Sequence, residues 1–287
     1  MDKVMRTSTG IPGLDKMLEG GLPSRTITLL SGSCGSGKST FAMQFLHYGA
    51  KYCNEPGVYV TLEEDPDTLI RNMTLFGWDI EGLMRQKKLL IVKPEVYKFD
   101  SIKQIIANAI EKIHAKRLVV DSYSVMLTYF RDPYEVRNGL VQLDRAIRKM
   151  SATALVISDI TDNSVTFSTT GVEEFIVDGV IVLHLVKDRE NPYQYSSRGM
   201  TIRKMRATPH SLDLHKFAIG SHGIDIVGHG PHTTEMQMRQ PDKHPETHKK
   251  RKKKKKEDGR QVDPASVVNV SDLKHGAHHG SSHFGHL

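Results

Sequence analysis

The segment Gly32-Ser33-Cys34-Gly35-Ser36-Gly37-Lys38-Ser39 has the residue types and spacing of a phosphate binder. It meets every fixed position of the pattern G-x-x-x-x-G-K-[ST]. Its glycines let the backbone curl and aim N–H groups inward. A helix starting at the end of such a loop adds about half a positive charge at its N-terminus. In that setting Lys38 reaches the β- and γ-phosphates of ATP, and the Ser39 hydroxyl offers a hard oxygen to Mg²⁺, with Thr40 beside it on the first helical turn. The bland alternative is a Gly/Ser-rich turn that ends in Lys-Ser.

Two further sets of carboxylates extend this chemistry. Leu118-Val119-Val120-Asp121 is an apolar run ending in Asp, and a carboxylate there can hold a Mg²⁺-bound water. Leu155-Val156-Ile157-Ser158-Asp159 is a rival one strand later, and a plain strand-end cap is the other reading of Asp121. Hydrolysis also needs a group that polarises the attacking water. Val58-Tyr59-Val60-Thr61-Leu62 ends in Glu63-Glu64, and strand C-termini form the ligand-binding edge of a parallel sheet. A solvated pair capping the helix near Pro66 fits the same two residues. Cys34, inside the loop near a helix N-terminus, is a candidate for a lowered thiol pKa and oxidation, or a loop filler.

These residues need elements to hold them. Short apolar, β-branched runs at 26–31, 58–62, 89–92, 118–121, 154–158 and 180–185 read as strands buried on both faces. Helical patterns at 40–52, 67–76, 101–115 and 135–150 alternate with them. In the last, Val136, Leu140, Leu143 and Ile147 make one apolar face. The alternation predicts an α/β fold with a mostly parallel central sheet flanked by helices. Residues 201–206 and 217–227 read as strands without a long helix between them, which predicts a C-terminal antiparallel extension.

The 287 residues carry a formal net charge of +7, but 12 of the 40 basic and 7 of the 33 acidic residues lie at 229–287. Five of the seven positive charges therefore belong to that stretch. It contains an unbroken run of eight Lys/Arg at 249–256 and histidines such as His278, His279, His283 and His286. So polar a segment cannot offset an ordering cost of about 1–2 kcal/mol per residue. The division expected is an ATPase domain over 1–228 and a disordered basic tail over 229–287. The tail can attract a polyanion, such as nucleic acid or an acidic protein, or act as a solubilising tail; its histidines suit a borderline metal. Two cysteines fit a reducing compartment, and with no apolar leader or 18-residue apolar run the expected location is the cytoplasm, with no membrane span.

An ordered set of motifs resembles the KaiC-type domains of the RecA-like ATPase superfamily. It begins with Thr9-Gly10-Ile11-Pro12-Gly13-Leu14-Asp15, Gly20-Gly21-Leu22-Pro23 and the phosphate loop. Tyr59 to Glu64 looks like the family's catalytic-glutamate strand, and Phe76-Gly77-Trp78-Asp79 is similar to its phenylalanine-glycine-tryptophan element. Gly171-Val172-Glu173-Glu174-Phe175 and Asp178-Gly179-Val180 resemble the stretch before its late strand. Lys204-Met205-Arg206, with Thr208 and His210, looks like its lysine-x-arginine finger and nucleotide contacts. The resemblance covers roughly residues 6–227. It implies that Glu63 and Glu64 are catalytic, and that Lys204 and Arg206 reach a neighbouring subunit's γ-phosphate, where cations stabilise transferring charge. It also implies a hexameric ring that hydrolyses ATP·Mg²⁺ slowly as a conformational switch. Without the resemblance, Lys204 and Arg206 read as exposed residues of one strand face.

The clock protein of that family has two such domains in tandem, whereas one is visible here. Where its second domain has a phosphorylated Ser-Thr pair, this chain has Glu174-Phe175, so autophosphorylation there is not expected. Two other readings share these motifs. One is a RadA/RadB-like DNA-binding recombinase relative, with 124–133 and 161–170 in the positions of DNA-holding loops. The other is a regulatory protein that binds ATP and barely turns it over.

Overall fold

The computed structural model describes residues 4–228 apart from 96–97, 163, 189 and 192. The basic tail, with its expected disorder, polyanion affinity and histidine metal site, lies outside the described residues.

Strand β1 (Arg6–Thr7) pairs antiparallel with β2 (Leu22–Pro23) around the short helix α1 (Leu14–Met17). Then β3 (Ile27–Gly32) leads into α2 (Lys38–Tyr52), and β4 (Gly57–Thr61) into α3 (Pro66–Thr74) and α4 (Ile80–Arg85). β5 (Leu89–Val92) leads into α5 (Phe99–Ile113), and β6 (Arg117–Asp121) into α6 (Tyr123–Leu127) and α7 (Pro133–Lys149). After β7 (Thr153–Asp159) come α8 (Glu173–Ile176) and β8 (Gly179–Lys187), then β9 (Tyr195–Met205), β10 (His215–Gly220) and β11 (Gly223–Ile226).

The central sheet has nine strands in the order β11-β10-β9-β8-β3-β7-β6-β4-β5. Strands β8 to β5 in that order run parallel; β9, β10 and β11 add an antiparallel extension. All of β3 and β4 is buried, because helices cover both faces. The strand alternation splits the core. Leu30, Tyr59, Val119 and Leu155 pack with α2 on one face, and Leu29, Val60, Val120 and Val156 pack with α5 and α7 on the other. The expected stripe of α7 is wholly buried, and each such side chain contributes about 1.5–3 kcal/mol.

Local chemistry sets the helix starts. Asp65 accepts from the N–H groups of Asp67 and Thr68, with Pro66 opening α3, and Asp132 accepts from Glu135 N–H, with Pro133 opening α7. The stretch 217–227, read from the sequence as one strand, is a hairpin. Gly220 pairs with Gly223 across Ser221-His222, and Gly223 has φ 103°, a backbone conformation open chiefly to glycine. β9 starts at Tyr195 rather than 201, because pairing with β8 recruits residues whose own pattern is polar.

Candidate functional site

The register brings the phosphate segment and the carboxylates to one edge. Gly32, at the end of β3, lies opposite Asp159 on β7 and Leu183 on β8, and Thr61 at the end of β4 lies opposite Asp121 on β6. Gly35 and Gly37 take φ of 78° and 106°, which lets the loop reverse into α2. Lys38 is buried. Its Nζ donates to the carbonyls of Gly32 and Ser33, both at 2.9 Å, and pairs with Asp159 Oδ1 at 3.1 Å. Ser36 N–H donates to Ser33 O at 3.2 Å, while its buried Oγ has no partner among the described residues. Cys34 is an exposed free thiol.

Ser39 Oγ donates to Asp121 Oδ2 at 2.9 Å, and the Tyr59 hydroxyl donates to the same oxygen. Burial pushes the Asp121 carboxyl up, and these two hydrogen bonds pull the other way. Both carboxylates that competed in the sequence for the metal-side role are thus present, Asp121 on Ser39 and Asp159 on Lys38.

The two glutamates diverge. Glu64 accepts from Asn72 Nδ2 at 3.2 Å and turns toward α3. Glu63 is exposed; partial burial first, then the charges of Asp159 and Asp121, raise its pKa, while Lys38 lowers it. Glu64 is also raised, by burial and Asp121, with Asn72 opposing. Lys93 Nζ and Thr61 Oγ1 pin this turn by donating to the carbonyls of Glu63 and Glu64.

Lys204, Met205 and Arg206 stand at the other end of the sheet. Gly32 is level with Leu183 and Met200, whereas Met205 pairs with Gly179, which is level with Thr28. Five residues of β9, about 16 Å at strand rise, separate Met205 from the level of the loop. There Lys204 Nζ donates to Glu174 O and Val177 O at 3.0 and 2.6 Å, and Arg206 pairs with Asp178 at 3.3 Å. Met205 is buried against Gly179. Thr208 Oγ1 accepts from Arg6 and donates to Arg206 O at 3.2 Å, and His210 Nδ1 lies 3.2 Å from Ser211 O. The sequence candidates therefore form two groups, one at each end of the sheet.

Sequence reasoning left several groups out. Tyr59 reads there as one more buried strand residue. Arg198 of β9 holds Gly35 O at 3.3 and 3.4 Å, and Tyr195 OH donates to Asp162, which also bonds Ser33. A cleft of about 610 Å³ runs between α2, the 76–78 turn and the β10–β11 hairpin. Its wall is aromatic: Phe76, Trp78 and His47 pack in series, with centroids 5.0 and 5.1 Å apart, beside Tyr48 and Tyr52. Gln44 fixes the cleft's shape by donating to Gly10 O and Ile224 O and accepting from Ile224 N–H. The hairpin joins the cleft to the loop, since a Cβ on Gly37 would lie 2.8 Å from Ile219 Cδ1. The signal for the cleft was the cluster of rings on α2 and at 76–78, which periodicity alone assigns to core packing.

A family model described as "ATPase: KaiC" matches residues 7–230. The chain is 33% identical over 238 residues to the circadian clock oscillator protein KaiC of Prochlorococcus marinus, covering 79% of this chain and 47% of that one. It thus spans about half the length of the clock proteins it matches. It is 38% identical over 241 residues to a UPF0273 protein of Pyrococcus furiosus, covering 78% of this chain and 94% of that one. Among solved structures, a KaiC-like protein of Pyrococcus horikoshii matches with TM-score 0.69 and 39% identity, over 78% of this chain and 99% of that one.

Proposed function

The chain belongs to the KaiC ATPase family, and on that premise we propose that it binds ATP with Mg²⁺ on the loop 32–39 and hydrolyses it slowly at a boundary between copies of itself, as an oligomeric switch. One observation carries the reading: Lys38 on Asp159 and Ser39 on Asp121 converge at the strand ends, within reach of the Glu63 charge.

In this reading, Lys38 exchanges the loop carbonyls and Asp159 for phosphate oxygens. The amides of residues 33–39 cradle the phosphates, and the unpartnered Ser36 hydroxyl gains an acceptor. The donors suit Mg²⁺: Ser39 offers a hydroxyl and Asp121 a carboxylate oxygen, and this ion keeps most of its shell as water and phosphate oxygen. Among the described residues no group of three His, Cys, Asp or Glu could hold a metal ion unaided, so the nucleotide completes the site. Bound there, Mg²⁺ neutralises charge that develops between the β- and γ-phosphates. Tyr59 holds Asp121 in place, and Glu63 accepts a proton from the attacking water.

Lys204 and Arg206 cannot reach their own loop. They serve a neighbour's site, with Met205, Thr208 and His210 beside them on the docking edge, and a closed ring, a hexamer in our reading, brings every site such a pair. The recombinase alternative needs cationic loops for a phosphate backbone; residues 161–170 hold no Lys or Arg, and residues 124–133 hold one, Arg131. Among the described residues no helix is long and apolar enough to cross a membrane, and the expected cytoplasmic location remains part of this proposal.

Lys38→Ala tests the reading. Calorimetry should show ATP affinity falling at least about 100-fold, because a buried cation hydrogen-bonded to phosphate is lost. Equal affinities for the two proteins would overturn the assignment. The assembly's mass with and without ATP tests the ring.

A further inference from the structure

A chain of hydrogen bonds ties the N-terminal ribbon to the turn that carries Arg206. Arg6 and Thr208 stand 202 residues apart in the sequence, yet Arg6 Nη1 donates to the Thr208 hydroxyl, which in turn donates to Arg206 O at 3.2 Å. Arg6 Nη2 donates to Ala207 O at 3.2 Å and pairs with Glu19 Oε2 at 3.0 Å. One planar guanidinium thus holds three oxygens at once, a fork that a lysine ammonium does not reproduce. The backbone of Arg6 is itself fixed. β1 pairs with β2, Ser24 N–H donates to Met5 O at 2.9 Å, and the hydroxyl of buried Thr7 lies 2.9 Å from those of Ser24 and Thr153.

The turn so held has little else to shape it. Residues 206–214 belong to no strand or helix. Ala207 has φ 54°, a left-handed conformation that a residue with a Cβ keeps only where its surroundings impose it. The peptide groups around Arg206 are gripped on both sides, since Arg206 N–H donates to Asp178 O at 2.9 Å and Arg206 O accepts from Thr208. Stability alone is a weak reason for the arrangement. The Glu19 side chain is 53% exposed, and an ion pair so open to water adds little. What the chain from Glu19 through Arg6 and Thr208 does fix is the place from which the Arg206 side chain starts.

We propose that Arg6 is a positioning residue for Arg206, holding the 206–208 turn so that the arginine meets the phosphates of a neighbouring subunit. The inference rests on the reading that Arg206 serves a neighbour's site. A cation that must meet a transferring phosphoryl group gains from being placed in advance, because no reorganisation is then needed at the moment of reaction.

Full-length subunits are mixed in pairs, and steady-state hydrolysis is read beside ATP affinity by calorimetry. Arg6→Ala should lower kcat about tenfold with ATP affinity within about twofold, less than the roughly 10²-fold that an ångström of misplacement can cost. Mixed with the Glu63→Gln/Glu64→Gln double variant, it should regain activity, since some boundaries then pair an intact glutamate site with an intact arginine turn. Mixed with Arg206→Ala it should regain none, since neither subunit offers a working turn. Arg6→Lys keeps the charge and one bond to the turn, and should recover part of the rate. Thr208→Val removes the hydroxyl between Arg6 and Arg206 at nearly constant shape. It should behave in mixing as Arg6→Ala does, and adding it to Arg6→Ala should cost little more. It also carries the test if Arg6→Ala does not fold. A parental rate in Arg6→Ala overturns the proposal. So does recovery when Arg6→Ala meets Arg206→Ala, which would place Arg6 in its own subunit's site. If Arg206→Ala regains activity with the glutamate variant and Arg6→Ala does not, this inference alone falls. If Arg206→Ala regains none despite proven co-assembly, the reading beneath it falls.

Discussion

Changing the adjacent glutamates one at a time separates their roles. Glu63→Gln keeps the size of the side chain and removes its charge. That charge sits near Asp121 and Asp159, so the folded protein loses like-charge repulsion and should remain intact. A general base supplies about 10²–10⁴ in rate. For a slow ATPase we expect the low end: kcat down about 10²–10³, or about 2.7–4 kcal/mol of barrier, with ATP affinity within about twofold. Glu64→Gln should cost far less. Its side chain accepts one partly exposed hydrogen bond from Asn72, which the new amide oxygen can still accept. Such a bond contributes about 0.5–1.5 kcal/mol, so its loss would cost about tenfold at most. Single-turnover phosphate release, beside ATP affinity by calorimetry, measures both. The pH profile adds a signed check. Burial first, then Asp159 and Asp121, raise Glu63, and a base works only when deprotonated. The acid limb of kcat/KM should therefore lie above the ordinary carboxylate range, with activity lost as pH falls through it. Asp159→Asn removes one of the raising charges and should move that limb to lower pH. A Glu64→Gln loss equal to or larger than that of Glu63→Gln would refute the assignment, and so would a limb that moves upward in Asp159→Asn.

Two further outcomes follow from the geometry. Arg206→Ala should lower steady-state hydrolysis without unfolding the chain, and mixing it with the Glu63→Gln/Glu64→Gln double variant should restore part of the activity. Mixed assemblies contain boundaries where an intact glutamate site meets an intact arginine; no recovery despite proven co-assembly would return Arg206 to its role on Asp178. Gly49→Ala should destabilise by about 1–3 kcal/mol in urea unfolding despite alanine's better helix propensity. A Cβ there would lie 2.1 Å from Arg117 Nε. Arg117 is fully buried and held by Glu55 and the carbonyls of Ser8 and Phe45 at 2.6–2.8 Å, so it cannot swing aside, and an unchanged midpoint would show that it can.

The strand–helix alternation, the phosphate loop and the helix starts at Asp65 and Asp132 were legible because each is encoded within a few residues. Apolar period, glycines where φ is positive, and a carboxylate before proline act locally. The split of 217–227 into a hairpin was less legible, since Gly220 and Gly223 mark a turn only once their pairing is known. The role proposed for Lys204 and Arg206 comes only from the family resemblance, because nothing in a strand's own pattern tells a cation that serves a neighbour from one that faces water.

By itself the sequence determined that residues 32–39 carry the glycines, lysine and hydroxyl of a phosphate-binding loop, since that pattern lies within eight consecutive residues. Only the tertiary structure decided which groups meet it. Strand order β3-β7-β6-β4 differs from chain order, so Asp159 and Asp121, 38 residues apart in number, come to Lys38 and Ser39 respectively. The same register carries Lys204 to the opposite end of the sheet and turns Glu63 and Glu64 apart. The aromatic cleft closes when α2, the 76–78 turn and a hairpin from the end of the domain pack together. Contacts between residues distant along the chain depend on register and packing of the whole sheet, which no local pattern contains.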